Sequence, residues 1–233
     1  SLSSDTTMWE PQMAAFTQRY RVLRYDQRGH GGTQVSAKPF TIDRLADDAV
    51  AILDALGIAK VHFCGLSMGG MTGMSLLRRH AARVDRAVLA NTAAHMGPPD
   101  LWNQRIRAAR AGGMEAVVEA TVERWFTAGF RSRSPEALAA VRGMILGTPP
   151  EGYAMCCAAI RDMDQRESIR AIANPVLVII GAHDPATTPQ AGAIVEAAIP
   201  GARSVTLDAA HIANIEQPEA FSKAVTDFLA AMP

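Results

Sequence analysis

Charge of one sign is never in excess: 23 basic and 23 acidic side chains leave the 233-residue chain with a formal net charge of zero. No long-range field would draw it to nucleic acid or to an anionic membrane surface, so small neutral or weakly charged partners fit better. Cysteine is scarce. Cys64, Cys156 and Cys157 form an odd set, and the last two are adjacent and awkwardly placed to bridge each other, so all three read as reduced core residues. No Cys/His set has zinc spacing and no G-x-G-x-x-G or Walker-type loop occurs, so neither a metal nor a nucleotide cofactor is indicated. Repeats and low-complexity tracts are absent as well. The longest strongly apolar run, PVLVII from Pro175 to Ile180, is far too short to cross a bilayer, and nothing at the start reads as a signal peptide. These absences lead to the expectation of a cytoplasmic protein with no membrane partner.

What is present is a chain with 48% hydrophobic and 20% charged residues, able to bury a sizeable core in one domain. RVLRYD (21–26) alternates and runs into a glycine-rich loop, which predicts a strand and a turn. Apolar residues at 42, 45, 46, 49, 52, 53 and 56 place a stripe on a helix capped by Thr41 and stopped by Gly57. KVHFCG, RAVLAN, NPVLVIIG and RSVTLD read as further strands. Helices are expected from Met68 to about Arg79, around Pro189 to Ala198, and from Pro218 to Ala230. Between them, from His95 to about Ile172, strand signals stop and PP, GG and SP breaks divide several helices. The expected fold class is α/β, a mostly parallel sheet with helices on both faces. Residues 1–94 and 173–233 would form its core, and 95–172 a helical lid insertion.

HFCGLSMGGMTG (62–73) contains a G-x-S-x-G pattern, Gly65 to Gly69. By average residue frequencies such a match arises by chance about one time in ten in a chain this long, so context must carry it. The context is a strand before and a helix after, which puts Ser67 on a strand-to-helix turn where a nucleophile is presented. Glycines at 65, 69 and 70 suit such an elbow. The N–H of Met68, at the start of the next helix, would face negative charge developing on an acyl oxygen. A base and a carboxylate are then needed. His211 alone among six histidines lies between the last strand and the last helix, and Asp184, in GAHDPATTP, follows the preceding strand. An Asp-Pro pair is also an ordinary turn, and a lone histidine an ordinary surface residue. The order Ser, Asp, His selects the catalytic reading, because it is the order of α/β-hydrolases. His30, in DQRGHGG, reads as a loop residue rather than a second base. Trp9, Trp125 and Phe126 read as core or pocket-lining aromatics. Arg124, Arg131 and Arg133 are the lid cations from which an anionic substrate would draw a partner, and Trp125 is expected to face the pocket.

Over almost its whole length the chain resembles the α/β-hydrolase family, and within it the enol-lactonases that open 3-oxoadipate enol-lactone. SLSSDTTMW, RVLRYDQRGHGGT, FCGLSMGGMTG, LANTAA, GAHDPATTP and LDAAHIANIEQP carry the likeness. The resemblance implies a carboxylic ester hydrolase of aromatic-acid breakdown (the β-ketoadipate pathway), with a small-molecule lactone or ester substrate and no cofactor. It also implies that Leu2 partners Met68 in the oxyanion hole. Another small-ester or lactone hydrolase, or a cofactor-free perhydrolase, would use the same triad; a non-catalytic binder on the same fold is the reading from a different class.

The resemblance further implies N-terminal strands that are not in this sequence, since Ser1 and Leu2 already match the oxyanion loop. The chain would start about two dozen residues late, and RVLRYD and KVHFCG could not pair at the normal spacing of just under 5 Å. The expectation is of a fragment, poorly folded and weakly active by itself, with Leu2 lacking a strand to hold it.

Overall fold

Four strands form one sheet: β1 (Val61–Leu66), β2 (Val84–Ala90), β3 (Val176–Gly181) and β4 (Arg203–Leu207). The computed structural model describes residues 1–231. The strands lie in the order β1-β2-β3-β4 and every pair is parallel. Parallel neighbours require crossovers, and helices that cross over cover both faces of a sheet. All of β3 and nearly all of β2 are accordingly buried, which is why they read as continuous apolar runs.

α1 (Glu10–Phe16) packs against the C-terminal helix through Trp9 and Phe221, whose ring centroids are 6.1 Å apart. α2 (Ile42–Ala55) buries Ile42, Leu45, Ala46, Ala49 and Leu53, most of the stripe read from the sequence. Thr41 stands at its N-cap without a side-chain bond, and Gly57 follows it at φ 65°. α3 (Met68–Arg79) crosses from β1 to β2, and Asp43 of α2 ties to it through Ser75 Oγ (2.5 Å) and Arg78 Nη2 (2.6 Å). Between β2 and β3 come five helices: α4 (Pro99–Gly112), α5 (Val118–Trp125), α6 (Ala128–Arg133), α7 (Pro135–Leu146) and α8 (Pro150–Arg161). An isolated bridge, His95 to Asp164, closes the base of this segment. α9 (Pro189–Ala198) links β3 to β4, and α10 (Ala213–Glu216) and α11 (Pro218–Ala230) end the described fold. Each of α4, α7, α8, α9 and α11 has proline in its first turn, where the missing N–H costs nothing. The three cysteines are free, and Cys156 and Cys157 are buried.

RVLRYD is not a strand, and the expectation that it could not pair with KVHFCG holds. Residues 21–26 form no ladder, β1 is the edge of the sheet, and a groove of about 660 Å³ lies between that segment and β1. The alternation was a true amphipathic signal, with Val22 packed against the core and Leu23 exposed. A strand also needs a neighbour at hydrogen-bonding distance, and here it has none.

Candidate active site

Ser67 sits between β1 and α3 at φ 56°, ψ −115°, a region that side chains other than glycine seldom occupy. Strain of this kind, about 1–3 kcal/mol, persists only where the surroundings fix it. Ser67 N–H donates to Ala90 O (2.8 Å) and Thr92 Oγ1 donates to Ser67 O (2.8 Å), so the end of β2 clamps the turn. The crossing is too close for side chains at two glycines: a Cβ on Gly65 would lie 2.3 Å from Gly69 O, and one on Gly70 2.6 Å from Thr92 Cβ. Gly69 itself has open space, so close approach does not explain it.

The hydroxyl so lifted meets the loop after β4. His211 Nε2 lies 2.9 Å from Ser67 Oγ, and His211 Nδ1 lies 2.8 Å from Asp184 Oδ2, in the loop after β3. All three side chains are buried. Burial alone would penalise a charged Asp184, but the opposing charge and hydrogen bond of His211 and the Thr187 donors outweigh it, holding the carboxyl below the usual range. Its Oδ1 accepts from the N–H groups of Ala186 (2.8 Å) and Thr187 (3.0 Å), and its Oδ2 from Thr187 Oγ1 (2.7 Å) and Asn91 Nδ2 (3.2 Å). The arrangement can move a proton from Ser67 Oγ to Nε2 while a fixed anion faces the imidazolium that results.

Met68 is the first residue of α3, whose opening N–H groups have no intrahelical acceptor. Leu2 lines the cavity beside Ser67. The Leu2 loop is held by side chains where the sequence implied it would lack a strand to hold it: Ser3 N–H donates to His30 Nε2 (2.9 Å) and Ser3 Oγ to Leu2 O (2.6 Å). His30 is therefore not a free loop residue. Burial lowers its pKa to about 4, and the Arg28 carbonyl near Nδ1 opposes this only in part.

The cavity over Ser67 holds about 40 Å³ and is walled by Trp102 and Arg105 of α4, Arg124 and Trp125 of α5, and Tyr153 of α8, with His211 at its base. Trp125 and Arg124 thus reach the site. Arg131 and Arg133 do not: Arg131 Nη1 donates to Glu123 O (2.8 Å) and Phe126 O (3.3 Å), closing the end of α5, and the Arg133 guanidinium lies over the Phe130 ring. Arg105 takes their place, and its signal was available. A helix that turns Trp102, Ile106 and Ala109 inward carries Arg105 along the edge of the same face.

Three further residues were quoted in motifs but given no role. Asn91, at φ 44°, donates from Nδ2 to Asp184 and to Ala210 O (3.0 Å), joining the acid loop to the base loop. Thr187 touches both Asp184 and His211 Nδ1 (3.3 Å). Glu216, buried, accepts from Ala210 N–H (2.9 Å) and from the N–H and hydroxyl of Thr127. With Ile212 N–H donating to Trp125 O (3.1 Å), it fastens the end of α5 to both sides of His211. Among the described residues no group of three or more His, Cys, Asp or Glu side chains is placed to hold a metal ion, and no helix is long and apolar enough to cross a membrane.

Residues 3–134 match the family model described as alpha/beta hydrolase fold, and residues 150–232 match one described as TAP-like protein. The chain is 40% identical to 3-oxoadipate enol-lactonase 2 of Acinetobacter baylyi, over 97% of its own length and 84% of the relative's. Among solved structures, the enol-lactonase from Burkholderia xenovorans LB400 superposes with a TM-score of 0.97 at 48% identity, covering 99% of this chain and 89% of that one. A thermophilic esterase from Thermogutta terrifontis, with malate bound, follows at a TM-score of 0.93 and 29% identity, covering 98% and 86%.

Proposed function

The chain belongs to the alpha/beta hydrolase family, and we propose that within it the chain is a serine hydrolase that opens the lactone ring of 3-oxoadipate enol-lactone. The observation that carries this reading is the unbroken relay from Ser67 Oγ through His211 to Asp184, at 2.9 and 2.8 Å, opening on a cavity that bears guanidinium groups. The likeness to two enol-lactonases narrows the ester class to that lactone.

In this reading Ser67 Oγ attacks the lactone carbonyl carbon as its proton passes to His211 Nε2. Charge on the carbonyl oxygen falls to the N–H groups of Leu2 and Met68, the second at the positive end of α3. Collapse of the tetrahedral adduct breaks the ring C–O bond. The leaving oxygen departs as an enolate, takes the proton back from His211, and the enol becomes a ketone. The acyl group stays on Ser67 until a water, deprotonated by His211, attacks the same carbon; the Ser67 Oγ–carbon bond then breaks, His211 returns the proton to Oγ, and the new acid ionises to a carboxylate. Asp184 keeps Nδ1 as the donor side of the imidazole throughout. No step calls for a cofactor. Residues 95–172 act as the cap, and since about 40 Å³ is well below the volume of typical ligand sites, they shift outward to admit the ring.

The test is turnover of the enol-lactone beside a simple p-nitrophenyl ester. Ser67→Ala and His211→Ala should each remove nearly all activity, a loss of several orders of magnitude, because the two act as one unit. Retention of more than about a tenth of the activity in the Ser67 variant would exclude it as nucleophile.

A further inference from the structure

Arg105 and Arg124 approach the cavity over Ser67 from different helices, α4 and α5, and neither lies within 4 Å of a carboxylate among the described residues. Their neighbours in the helical segment behave differently. Arg110 is paired with Glu151 (2.6 Å), Arg142 with Glu119 (2.8 Å) and Arg161 with Asp162 (2.7 Å). Arg124 makes one side-chain hydrogen bond, to Thr121 Oγ1 (3.1 Å), and Arg105 lies over the Trp102 ring, 4.6 Å from its centroid. Neither contact supplies negative charge. Both side chains are half-buried, and burial together with the Arg105 charge lowers the Arg124 pKa. Tyr153 and Cys157 of α8 also face them, and burial holds both in their neutral forms. Glu123, exposed on α5, is the acidic side chain whose charge reaches Arg124.

Two adjacent cations in a mostly enclosed space, with no counter-ion, carry an electrostatic cost that an arriving anion removes. We infer that Arg105 and Arg124 form one carboxylate subsite, which selects lactones and esters bearing a second, anionic end and also holds the dicarboxylate that hydrolysis leaves. This rests on the hydrolase reading for the position of Ser67, but not on the identity of the lactone. The guanidinium forks suit a carboxylate shared between them, each donating to one oxygen or to both. Ring opening at Ser67 creates the second carboxylate in the same cavity, so short dicarboxylates are product-like ligands.

The experiment uses hydrolysis of a neutral p-nitrophenyl ester as reporter, with adipate as inhibitor and dimethyl adipamide as its uncharged counterpart. Adipate should compete with the ester while the diamide binds far more weakly. In Arg105→Gln and in Arg124→Gln the adipate inhibition constant should rise on the order of 10- to 100-fold, the effect of losing one charge-assisted hydrogen bond. Arg105→Lys, which keeps the charge, should recover part of the loss. Labelling of Ser67 by a fluorophosphonate verifies that each variant is folded and that its triad is intact. Equal inhibition by adipate and the diamide, or inhibition constants within about twofold of the parent in both correctly labelled glutamine variants, overturns the subsite. If adipate binding depends on the arginines but the enol-lactone is not turned over, the substrate assignment fails and the subsite stands.

Discussion

His30 provides a pH-dependent strut under the loop that carries Leu2. Its Nε2 accepts the Ser3 N–H at 2.9 Å, so the proton of the neutral ring is on Nδ1, toward Arg28 O. Protonation at Nε2 would remove the acceptor and set a second N–H against the first. In the unfolded chain the imidazole titrates near 6.5, whereas in the folded protein burial lowers it to about 4. Because the folded value is the lower one, the unfolded state takes up the proton first as the pH falls. Stability from this group is therefore complete above about pH 6.5 and declines until about pH 4. At roughly 1.4 kcal/mol per pH unit the full loss is about 3 kcal/mol, of which about 2 kcal/mol falls between about pH 7.5 and about pH 5. Urea unfolding of the parent and of His30→Gln, whose amide oxygen can accept from Ser3 without titrating, isolates the contribution. The parent should lose about 2 kcal/mol more than the variant over that interval. Equal losses in the two proteins would refute the argument, since other titrating groups are common to both.

Three other outcomes are expected. Asp184→Asn should lower kcat by about 10²- to 10⁴-fold, less than Ser67→Ala, because the amide cannot balance the imidazolium and places NH₂ against donors; single-turnover kinetics would measure it. Glu216→Ala should cost about 3–5 kcal/mol, because Ala210 N–H and two Thr127 donors lose a buried acceptor. Glu216→Gln should cost less and still lower kcat, as read by denaturation alongside ester hydrolysis. Arg131→Gln with Arg133→Gln, outside the cavity, should leave KM for the anionic substrate within about twofold, whereas a tenfold rise would return those residues to the site.

The meeting of Ser67, His211 and Asp184 was more legible in the sequence than the walls around it. Ser67, Asp184 and His211 were readable because each follows a strand, and the C-terminal ends of parallel strands converge whatever the details of packing. α9 and α11 begin at Pro189 and Pro218, where proline marks the start of a helix within one chain position. The segment 21–26 is amphipathic, as its alternation says, and forms no ladder, as expected where it could not pair with KVHFCG. The arginines misled: composition places cations in residues 95–172, but which of them turn inward depends on how α4, α5 and α8 pack. Asn91, Thr187 and Glu216 lay in motifs already noted. Their roles appear only when loops from three strand ends meet, a long-range arrangement.

The same packing bears on which wall of the cavity would open. The C-terminal end of α5 is fixed to the loop that carries His211 by bonds from Thr127 and Ala210 to Glu216 and from Ile212 to Trp125. α8 is fixed as well, since its Gly152 and Gly29 are so close that a Cβ on Gly152 would lie 2.1 Å from Gly29 O. α4 also packs on α8 through apolar residues, but its polar ties there are peripheral. Arg110–Glu151 is about half exposed on both sides, and Arg161 Nη1 bonds Asn103 Oδ1. Exposed pairs of this kind contribute about 0–1 kcal/mol each. Of the helices that wall the cavity of about 40 Å³, α4, with Trp102 and Arg105, is the one whose polar ties are exposed, so it is the one expected to open. Hydrogen exchange should show amides of α4 opening faster than those of Thr127, Ala210 and Ile212, and adipate should slow α4 most. Exchange that is fastest at the α5 end, or a ligand effect confined to α8, would place the entrance elsewhere.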